Sequence, residues 1–346
     1  MTYREKINVY VPQNVGVTLD NDAALFEIVK RDRISINRNR FLSMLIVGYY
    51  NDYVHSSQDK MEAIKGNLIK HVSAENIDDL AETIFNTVIL PEVPKRKGKS
   101  PKKLSLKPTA ETEGIIIKVM ESLGENDYVS QYFCRMFMSY CEEPLYERER
   151  IVFRGNYEYL KAACDLHRPI TFTTIWNKQD IHEVIPYEMA IGQDEMFNYL
   201  LCQEKDSKTG EAKARTYRLN RIERINYSSS SISLSDSVVN HLERMKEYGA
   251  QYIINDDEKT CVKLSDYGLI QFNRIYQGRP RYDWIEEKDD GHYFHFSCSK
   301  DQIYFYFRRY DAGAAEIVFP ESLRSRMIDF HSKSLSFYSS EEGATK

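Results

Sequence analysis

The chain begins with a strict alternation of apolar and polar residues over positions 6–11, and Pro12 ends it. A period of two predicts a short β-strand with one buried and one exposed face. The polar residues that the alternation assigns to the exposed face are Lys6, Asn8 and Tyr10. Apolar residues then recur at helical spacing, which predicts a helix over Asp22–Asp32. A second helix, capped by Ser35, is predicted to run to about Tyr53.

The same order of one strand and two helices recurs later in the chain. Alternation predicts a strand that ends at Pro108, and helical spacing predicts helices over Glu111–Ser122 and Asp127–Glu142. Two further helices, over Gln58–His71 and Glu75–Leu90, are predicted in between. The positions that match at an offset of 92 residues are Phe41 with Phe133 and Leu45 with Phe137. We therefore expect one chain to contain both halves of a paired strand-helix-helix unit. Aligned on their prolines, the two strands alternate out of phase by one residue, so a second half that has lost its surface contacts, or is unrelated, stays an alternative.

A strand followed by two helices resembles the ribbon-helix-helix family. In that family two strands pair across a dimer, their polar face enters the DNA major groove, and the N-terminal amides of the second helix bind a phosphate. The residues to which the resemblance assigns nucleic-acid contacts are Lys6, Asn8, Tyr10, Ser35, Asn37, Arg38 and Arg40. The alternative is an ordinary strand with an amphipathic helix pair.

A basic segment separates the two halves. Six cations and no acid lie between Lys95 and Lys103, among proline, glycine and serine residues. This composition predicts a disordered loop over 91–103. Its cations, with Lys95, Arg96 and Lys97 at the centre, can bind a polyphosphate through counterion release. A solvated linker is the alternative.

The stretch from His182 to Ile225 has a strand pattern, a polar turn over 192–195, and two further strand patterns. The last of these strands is predicted over Arg215–Ile225. Its four arginines, interleaved with apolar and aromatic side chains, are Arg215, Arg218, Arg221 and Arg224. Guanidinium groups pair phosphates bidentately and stack on bases, so this pattern favours an anionic ligand. Strict alternation puts Arg218 and Arg221 on opposite faces, so the two share a pocket only if the strand turns near Asn220.

This stretch resembles the WYL-domain family. The matching segments are Pro186-Tyr187-Glu188-Met189, Asn198-Tyr199-Leu200 and Tyr217-Arg218-Leu219-Asn220-Arg221-Ile222. Two positions depart from the family pattern, because Asn198 replaces its tryptophan and Asn220 replaces its aspartate. The resemblance implies a small β-barrel of the Sm or SH3 type that binds nucleic acid or a nucleotide-like ligand. The residues that it implies for this role are Tyr199, Arg218 and Arg221, together with His182 and Arg215 in the same stretch. A solvated arginine face is the alternative.

Helix and strand patterns alternate after the serine-rich boundary at 228–231. They end in Tyr306-Phe307, Gly313, Glu316-Ile317-Val318-Phe319-Pro320 and Leu323-Arg324, which resembles the C-terminal extension of WYL proteins. The resemblance implies a ferredoxin-like unit that supports dimerisation. We therefore expect a multidomain α+β protein. Its predicted domains are a ribbon-helix-helix-like region over 1–148, a WYL domain over 149–228 and the extension over 229–340.

Composition limits the classes of function. The 346 residues carry a net charge of −5, and the pI is about 6.0, so nucleic-acid binding must depend on local patches. The 25 tyrosines are compatible with base stacking or with large interfaces. Six cysteines without a Cys-x-x-Cys pair indicate reduced thiols. No apolar run approaches the roughly 20 residues that cross a bilayer, and we expect a cytoplasmic protein with no membrane partner.

No set of residues predicts catalysis. His292, His295 and Cys298 suggest a metal site, but on a strand His295 faces away from the other two, so the metal interpretation is rejected. Phosphate-binding glycine loops, nucleophile elbows and zinc-protease motifs are missing from the sequence. We therefore expect neither an enzyme nor a cofactor.

A chain that combines these three regions resembles the WYL accessory proteins of type VI-D CRISPR loci. The resemblance implies a homodimer that binds single-stranded RNA and stimulates the RNA-guided RNA nuclease of its locus. The alternative is a transcriptional regulator whose ribbon binds duplex DNA and whose WYL domain senses a ligand. A purely structural scaffold is a third class, and it requires that the arginine-rich strand binds nothing.

Overall fold

The structure is a computed structural model that describes residues 5–32, 34–71, 76–94, 101–124, 128–192, 196–205, 209–230, 233–253 and 259–339. The protein belongs to the mixed α+β class. Its chain divides into two units, Met1–Glu158 and Tyr159–Lys346. Within the described part of the chain, no helix combines the length and the apolar character that crossing a bilayer demands.

The first unit is built around a two-stranded antiparallel ribbon in which both strands come from one chain. Ile7 lies opposite Leu106, and Val11 lies opposite Lys102. The strands are β1 (Ile7–Val11) and β2 (Lys102–Leu106). The helices that follow β1 are α1 (Gln13–Leu25), α2 (Arg38–Leu68) and α3 (Ile77–Ile84), and those that follow β2 are α4 (Ala110–Ser122), α5 (Val129–Glu142), α6 (Leu145–Val152) and α7 (Arg154–Asp165), which continues into the second unit. Each strand is therefore followed by helices, as the internal repeat predicted.

The inner face of the ribbon forms the centre of this unit's core. Its buried residues are Ile7, Val9, Val11, Leu104 and Leu106. The repeat positions Phe41, Leu45, Phe133 and Phe137 are also fully buried. The matched aromatic and aliphatic positions of the two halves are therefore core positions.

Three predicted helix boundaries in this unit are wrong. The first helix begins at Gln13, directly after Pro12, and the predicted helix over Asp22–Asp32 does not form beyond Leu25. The cap of α2 is Asn37 and not Ser35, because the side chain of Asn37 accepts a hydrogen bond from the Arg40 N–H at 3.2 Å. The second helix also continues to Leu68 without a break near Tyr53. The predicted insert helix over Glu75–Leu90 forms as α3, and a π-helical turn, Phe85–Ile89, follows α3 directly.

A five-stranded antiparallel sheet opens the second unit. Its strands are β3 (Ile170–Thr174), β4 (Ile181–Ile191), β5 (Asn198–Lys205), β6 (Ala212–Arg218) and β7 (Ile222–Tyr227), in the order β6-β5-β4-β3-β7. The two edge strands β6 and β7 are joined by a single 3-10 turn, Leu219–Arg221. A connection of three residues can join the edges only if the sheet curls until they meet. The predicted continuous strand over Arg215–Ile225 is therefore two strands, and the turn falls at Asn220.

A four-stranded antiparallel sheet follows, with the strand order β11-β8-β10-β9. The strands are β8 (Thr260–Leu264), β9 (Trp284–Lys288), β10 (Gly291–Phe296) and β11 (Ala315–Phe319). The helices are α8 (Asp236–Tyr248), α9 (Asp266–Arg274), α10 (Lys300–Phe307) and α11 (Glu321–Ser339). Ser299 caps α10, because its hydroxyl accepts from the Asp301 N–H at 3.2 Å. Residues of β8, β10 and β11 share one buried cluster with residues of α9, α10 and α11.

Candidate nucleic-acid interface

The outer face of the ribbon combines polar side chains from both halves of the chain. Asn8 lies opposite Ser105 and Tyr10 lies opposite Lys103, and the Ser105 hydroxyl donates to Asn8 Oδ1 at 3.1 Å. Lys6 and Lys107 continue the same alternation just beyond the strand ends. The ribbon face is defined here as Lys6, Asn8, Tyr10, Lys103, Ser105 and Lys107. It contains three lysines and no acid, and among the described residues none of the three lysine ammonium groups forms an ion pair.

The second half of this face is a set of residues that sequence reasoning missed. When the two strands are aligned on their prolines, their apolar positions are offset by one residue. In the antiparallel pair, Leu104 and Leu106 nevertheless lie inside, and Lys103 and Ser105 lie outside. The alternation within β2 itself was the signal that identifies the face. Asn39 fixes the end of this strand, because its side chain accepts from the Lys107 N–H at 2.7 Å and donates to the Lys107 carbonyl at 3.2 Å.

Asp20 binds two of the cations near the ribbon. Lys102 Nζ contacts Asp20 Oδ2 at 2.5 Å, and the Arg38 guanidinium donates to both carboxylate oxygens at 2.7 and 2.8 Å. Burial raises the pKa of the Asp20 carboxyl, but the hydrogen bonds from Arg38 and Lys102 outweigh it, and the pKa is lowered. Arg38, which the sequence assigned to nucleic acid, is therefore half of a bidentate ion pair within this unit.

The segment before α2 uses its polar groups locally. Ser35 donates its N–H to Asp32 Oδ1 at 2.9 Å, and its carbonyl accepts from the Lys30 N–H at 2.8 Å. Asn37 donates its N–H to the Ile28 carbonyl at 2.8 Å while its side chain caps the helix. Arg40 is exposed in the first turn of α2. The predicted contacts at Lys95, Arg96 and Lys97 lie outside the described residues.

The curled sheet carries a network centred on a carboxylate. His182 Nδ1 lies 2.8 Å from Glu204 Oε1, and the Tyr217 hydroxyl donates to Glu204 Oε2 at 2.7 Å. Arg215 Nε lies 3.4 Å from the same Oε2 atom. The His182 ring also stacks on Phe172, with ring centroids 5.3 Å apart. Glu204 therefore connects His182, Tyr217 and Arg215 across three strands.

This network changes the ionisation of its members. The hydrogen bond to Glu204 raises the pKa of His182. Burial raises the pKa of Glu204, but its hydrogen bonds to His182 and Tyr217 outweigh burial and lower it. Two cations that the sequence assigned to an anionic ligand, His182 and Arg215, thus share one internal carboxylate. Sequence reasoning missed Glu204. The available signal was its position two residues after Cys202, which lies opposite Arg215, because residues two apart on a strand share a face.

The structure places Tyr199, Arg218 and Arg221 at one end of this sheet. Tyr199 lies opposite Arg218 in the β5–β6 register and is only 6% exposed. The Arg218 guanidinium lies 3.3 Å from the centroid of the Phe197 ring. Arg221 is exposed at the end of the 3-10 turn. The 3-10 turn separates Arg218, the last residue of β6, from Arg221, so the strict alternation of a continuous strand does not apply to this pair.

Comparison with solved structures finds one that has the same fold. The crystal structure of a CRISPR Cas-related protein superposes on 99% of this chain and 96% of its own, with a TM-score of 0.66 and 16% sequence identity. The fold is shared along the whole chain. The proteasome accessory factor PafBC of Arthrobacter aurescens aligns with 68% of this chain and 37% of its own, at 14% identity and a TM-score of 0.28. No family model and no curated protein matches the sequence.

Proposed function

We propose that the protein is a CRISPR-associated accessory protein that binds single-stranded RNA and stimulates the RNA-guided RNA nuclease of a type VI-D system. The observation that carries RNA binding is the ribbon face, with three lysines and no acid. The fold shared with a CRISPR Cas-related protein supports the CRISPR assignment. In this proposal the first unit is ribbon-helix-helix-like, β3 to β7 form a WYL barrel of the Sm or SH3 type, and β8 to β11 form a ferredoxin-like extension through which two chains pair.

The charge of the ribbon face is suited to a flexible polyanion. Each lysine that neutralises a phosphate releases a counterion, and on a single strand this contributes a slope of about −0.7 to the dependence of log affinity on log salt. Lys6, Lys103 and Lys107 together account for about two units of slope on this basis. Asn8, Tyr10 and Ser105 lie between these lysines and supply donors, acceptors and one ring for the unpaired bases.

Arg218 and Arg221 provide a second contact in the proposal. The 3-10 turn between them removes the strand alternation that would put the two on opposite faces, and guanidinium groups pair phosphates bidentately. Arg215 and His182 have a supporting role, because Glu204 already binds both. The RNA contact at this sheet is therefore assigned to the turn and not to the whole arginine-rich strand.

The test combines a binding assay and an activity assay. Labelled single-stranded RNA, single-stranded DNA and duplex DNA are titrated with the protein at several salt concentrations, and cleavage by the nuclease of the locus is measured with and without the protein. We expect preferred RNA binding and faster cleavage, both reduced by the combined variant Lys6→Ala, Lys103→Ala and Lys107→Ala. The control variant Lys70→Ala, Lys118→Ala and Lys161→Ala removes the same charge from exposed lysines elsewhere. Equal losses in both variants would contradict a specific ribbon contact.

One observation favours a DNA-binding regulator as the second candidate. The ribbon is a two-stranded antiparallel pair with a polar outer face, and the DNA major groove admits a β-ribbon of this kind. This candidate predicts tight binding to a duplex operator that depends on Asn8, and no effect on nuclease cleavage. The same three-ligand titration with Asn8→Ala separates the two functions.

A further inference from the structure

The β11-β8-β10-β9 sheet has one covered and one open face. The inward residues Val262, Phe294 and Ile317 belong to the buried cluster that α9, α10 and α11 cover. Alternation along each strand turns the intervening residues to the other side. A bulge after Ile317 shifts the register of β11, so that Phe319 lies opposite Cys261. The residues of this open sheet face are Cys261, Lys263, Trp284, Glu286, Lys288, Tyr293, His295, Glu316 and Phe319. Trp284 is 44% exposed and Phe319 is 51% exposed, so solvent reaches this face at both edges of the sheet.

Aromatic side chains occupy the centre and one edge of the open sheet face. His295 lies opposite Trp284 in the register, and their rings are stacked with centroids 4.4 Å apart and planes 9° apart. Tyr293 lies two residues before His295 on the same central strand, and its hydroxyl donates to Asp290 at 3.0 Å. Three aromatic rings therefore share one face of two neighbouring strands.

Lysines surround these rings, but acids balance most of their charge. The Lys288 ammonium lies 4.2 Å from the Tyr293 centroid, and the Lys259 ammonium lies 5.2 Å from the Trp284 ring. Lys263 pairs with Asp290 at 2.6 Å, and Lys288 pairs with Glu286 at 3.2 Å. The open sheet face thus offers stacking surfaces with little excess charge, which suits bases better than phosphates.

We infer that the open sheet face stacks two or three unpaired bases of single-stranded RNA, through Trp284, His295 and Tyr293. The inference rests on the proposed function and names a second site for the same ligand. RNA-recognition motifs use a four-stranded sheet with exposed aromatics in this way. Base-aromatic stacking tolerates any sequence, and losing one stacked base weakens binding about tenfold. Because the lysines here are paired, this contribution persists at high salt.

Trp284 provides a direct reporter of this contact. The chain contains two tryptophans, Trp176 and Trp284, so Trp176→Phe leaves Trp284 as the single indole. We expect unlabelled single-stranded RNA to quench its fluorescence along the same saturation curve as the binding measured with labelled RNA. Combined Trp284→Ala and Tyr293→Ala should weaken RNA binding at least tenfold at every salt concentration. Trp284→Phe should retain most of the affinity because phenylalanine still stacks.

A control and two contrary outcomes keep the inference testable. Tyr276→Ala removes a ring that is 78% exposed and lies outside the open sheet face, and we expect it to leave RNA affinity unchanged. RNA binding without any change in Trp284 fluorescence would overturn the inference and leave the proposed function standing. Equal quenching by duplex DNA, whose bases are not available for stacking, would also overturn it. If the wild-type protein binds no RNA, the proposed function and the inference both fail.

Discussion

The ribbon face and the open sheet face are both polar surfaces of antiparallel strands, but they differ in how their cations are neutralised. On the ribbon face, three lysines have no acidic neighbour among the described residues of the face. On the open sheet face, Lys263 and Lys288 each pair with a carboxylate beside three aromatic rings. Unpaired lysines bind by counterion release, which salt weakens, whereas stacked rings bind by contact, which salt hardly affects. To judge how a surface binds RNA, the acids that pair with its cations are therefore more informative than the number of cations.

The curled sheet extends this comparison to the arginine-rich strand. Four arginines in ten residues are the most basic pattern in the second half of the chain. Glu204 nevertheless contacts both His182 and Arg215, so part of that charge is used inside the sheet. Arg221, in the turn that interrupts the strand, is exposed. The curled sheet is thus intermediate between the ribbon face, whose lysines are unpaired, and the open sheet face, whose lysines are mostly paired.

The largest expected effect comes from removing both faces together. We expect the ribbon lysine variant alone to lose about 100-fold in RNA affinity near 0.1 M salt, and the combined Trp284→Ala and Tyr293→Ala variant about tenfold. If each face binds its own part of the strand, the combined variant should lose about 1,000-fold, since independent effects add in free energy. Fluorescence anisotropy with single-stranded RNA over a salt series measures the affinity of each of the three variants. A combined loss no larger than that of the ribbon variant would show that the two faces do not bind RNA independently.

A smaller effect is expected from the 3-10 turn. Arg218→Ala with Arg221→Ala should weaken single-strand binding by about tenfold, because two guanidinium contacts to phosphate are removed. Thermal stability should remain nearly unchanged for Arg221, which is exposed, and should fall slightly for Arg218, which packs on Phe197. Anisotropy and thermal unfolding are measured on the same samples. Unfolding of the double variant without a specific loss of binding would support a structural role for these arginines.

Strand patterns in the sequence predict the sheets well. β1 follows the alternation predicted over positions 6–11, and the stretch from His182 to Ile225 forms neighbouring strands of one sheet. The first helix was missed because Asn14 and Gly16 are poor helix formers, and the burial of Val15 and Leu19 against the rest of the unit outweighs that preference. Helix formation at this position depends on tertiary packing that local sequence does not contain.

The candidate sites depend on register, which the sequence determines only in part. The pairing of Trp284 with His295 depends on the register of β9 against β10, in which Lys288 lies opposite Gly291. The contact of Glu204 with His182 joins residues 22 positions apart on different strands. A period of two gives the face of each side chain but not its neighbour across the sheet. Residue types were therefore predictable, and their partners were not.

A third prediction concerns the paired cations of the curled sheet. Glu204→Gln removes the carboxylate that Arg215 and His182 contact, while Gln can still accept from Tyr217. We expect RNA affinity to rise about threefold, because one negative charge beside Arg215 and His182 is lost. Anisotropy at low salt measures the change, and Glu223→Gln, which removes a carboxylate that pairs with Lys178, is the control. A fall in affinity in a folded variant would mean that Glu204 positions Arg215 for binding.

The smallest expected effect is a pH dependence of stability from the same pair. The pKa of His182 is raised, so its contribution is complete below the ordinary histidine pKa and is lost as pH rises through the value in the folded protein. The pKa of Glu204 is lowered, so its contribution is present above the ordinary glutamate pKa and is lost in acid. Both contributions are present at about pH 6. There Glu204→Gln should lower the free energy of unfolding by up to about 1 kcal/mol, because solvent screens this half-buried pair and limits its energy. At about pH 9 the difference should shrink, since neutral His182 no longer forms an ion pair. Urea unfolding of both proteins at the two pH values measures this difference, and an equal destabilisation at both would mean that the hydrogen bond to Tyr217, and not the charge on His182, makes Glu204 stabilising.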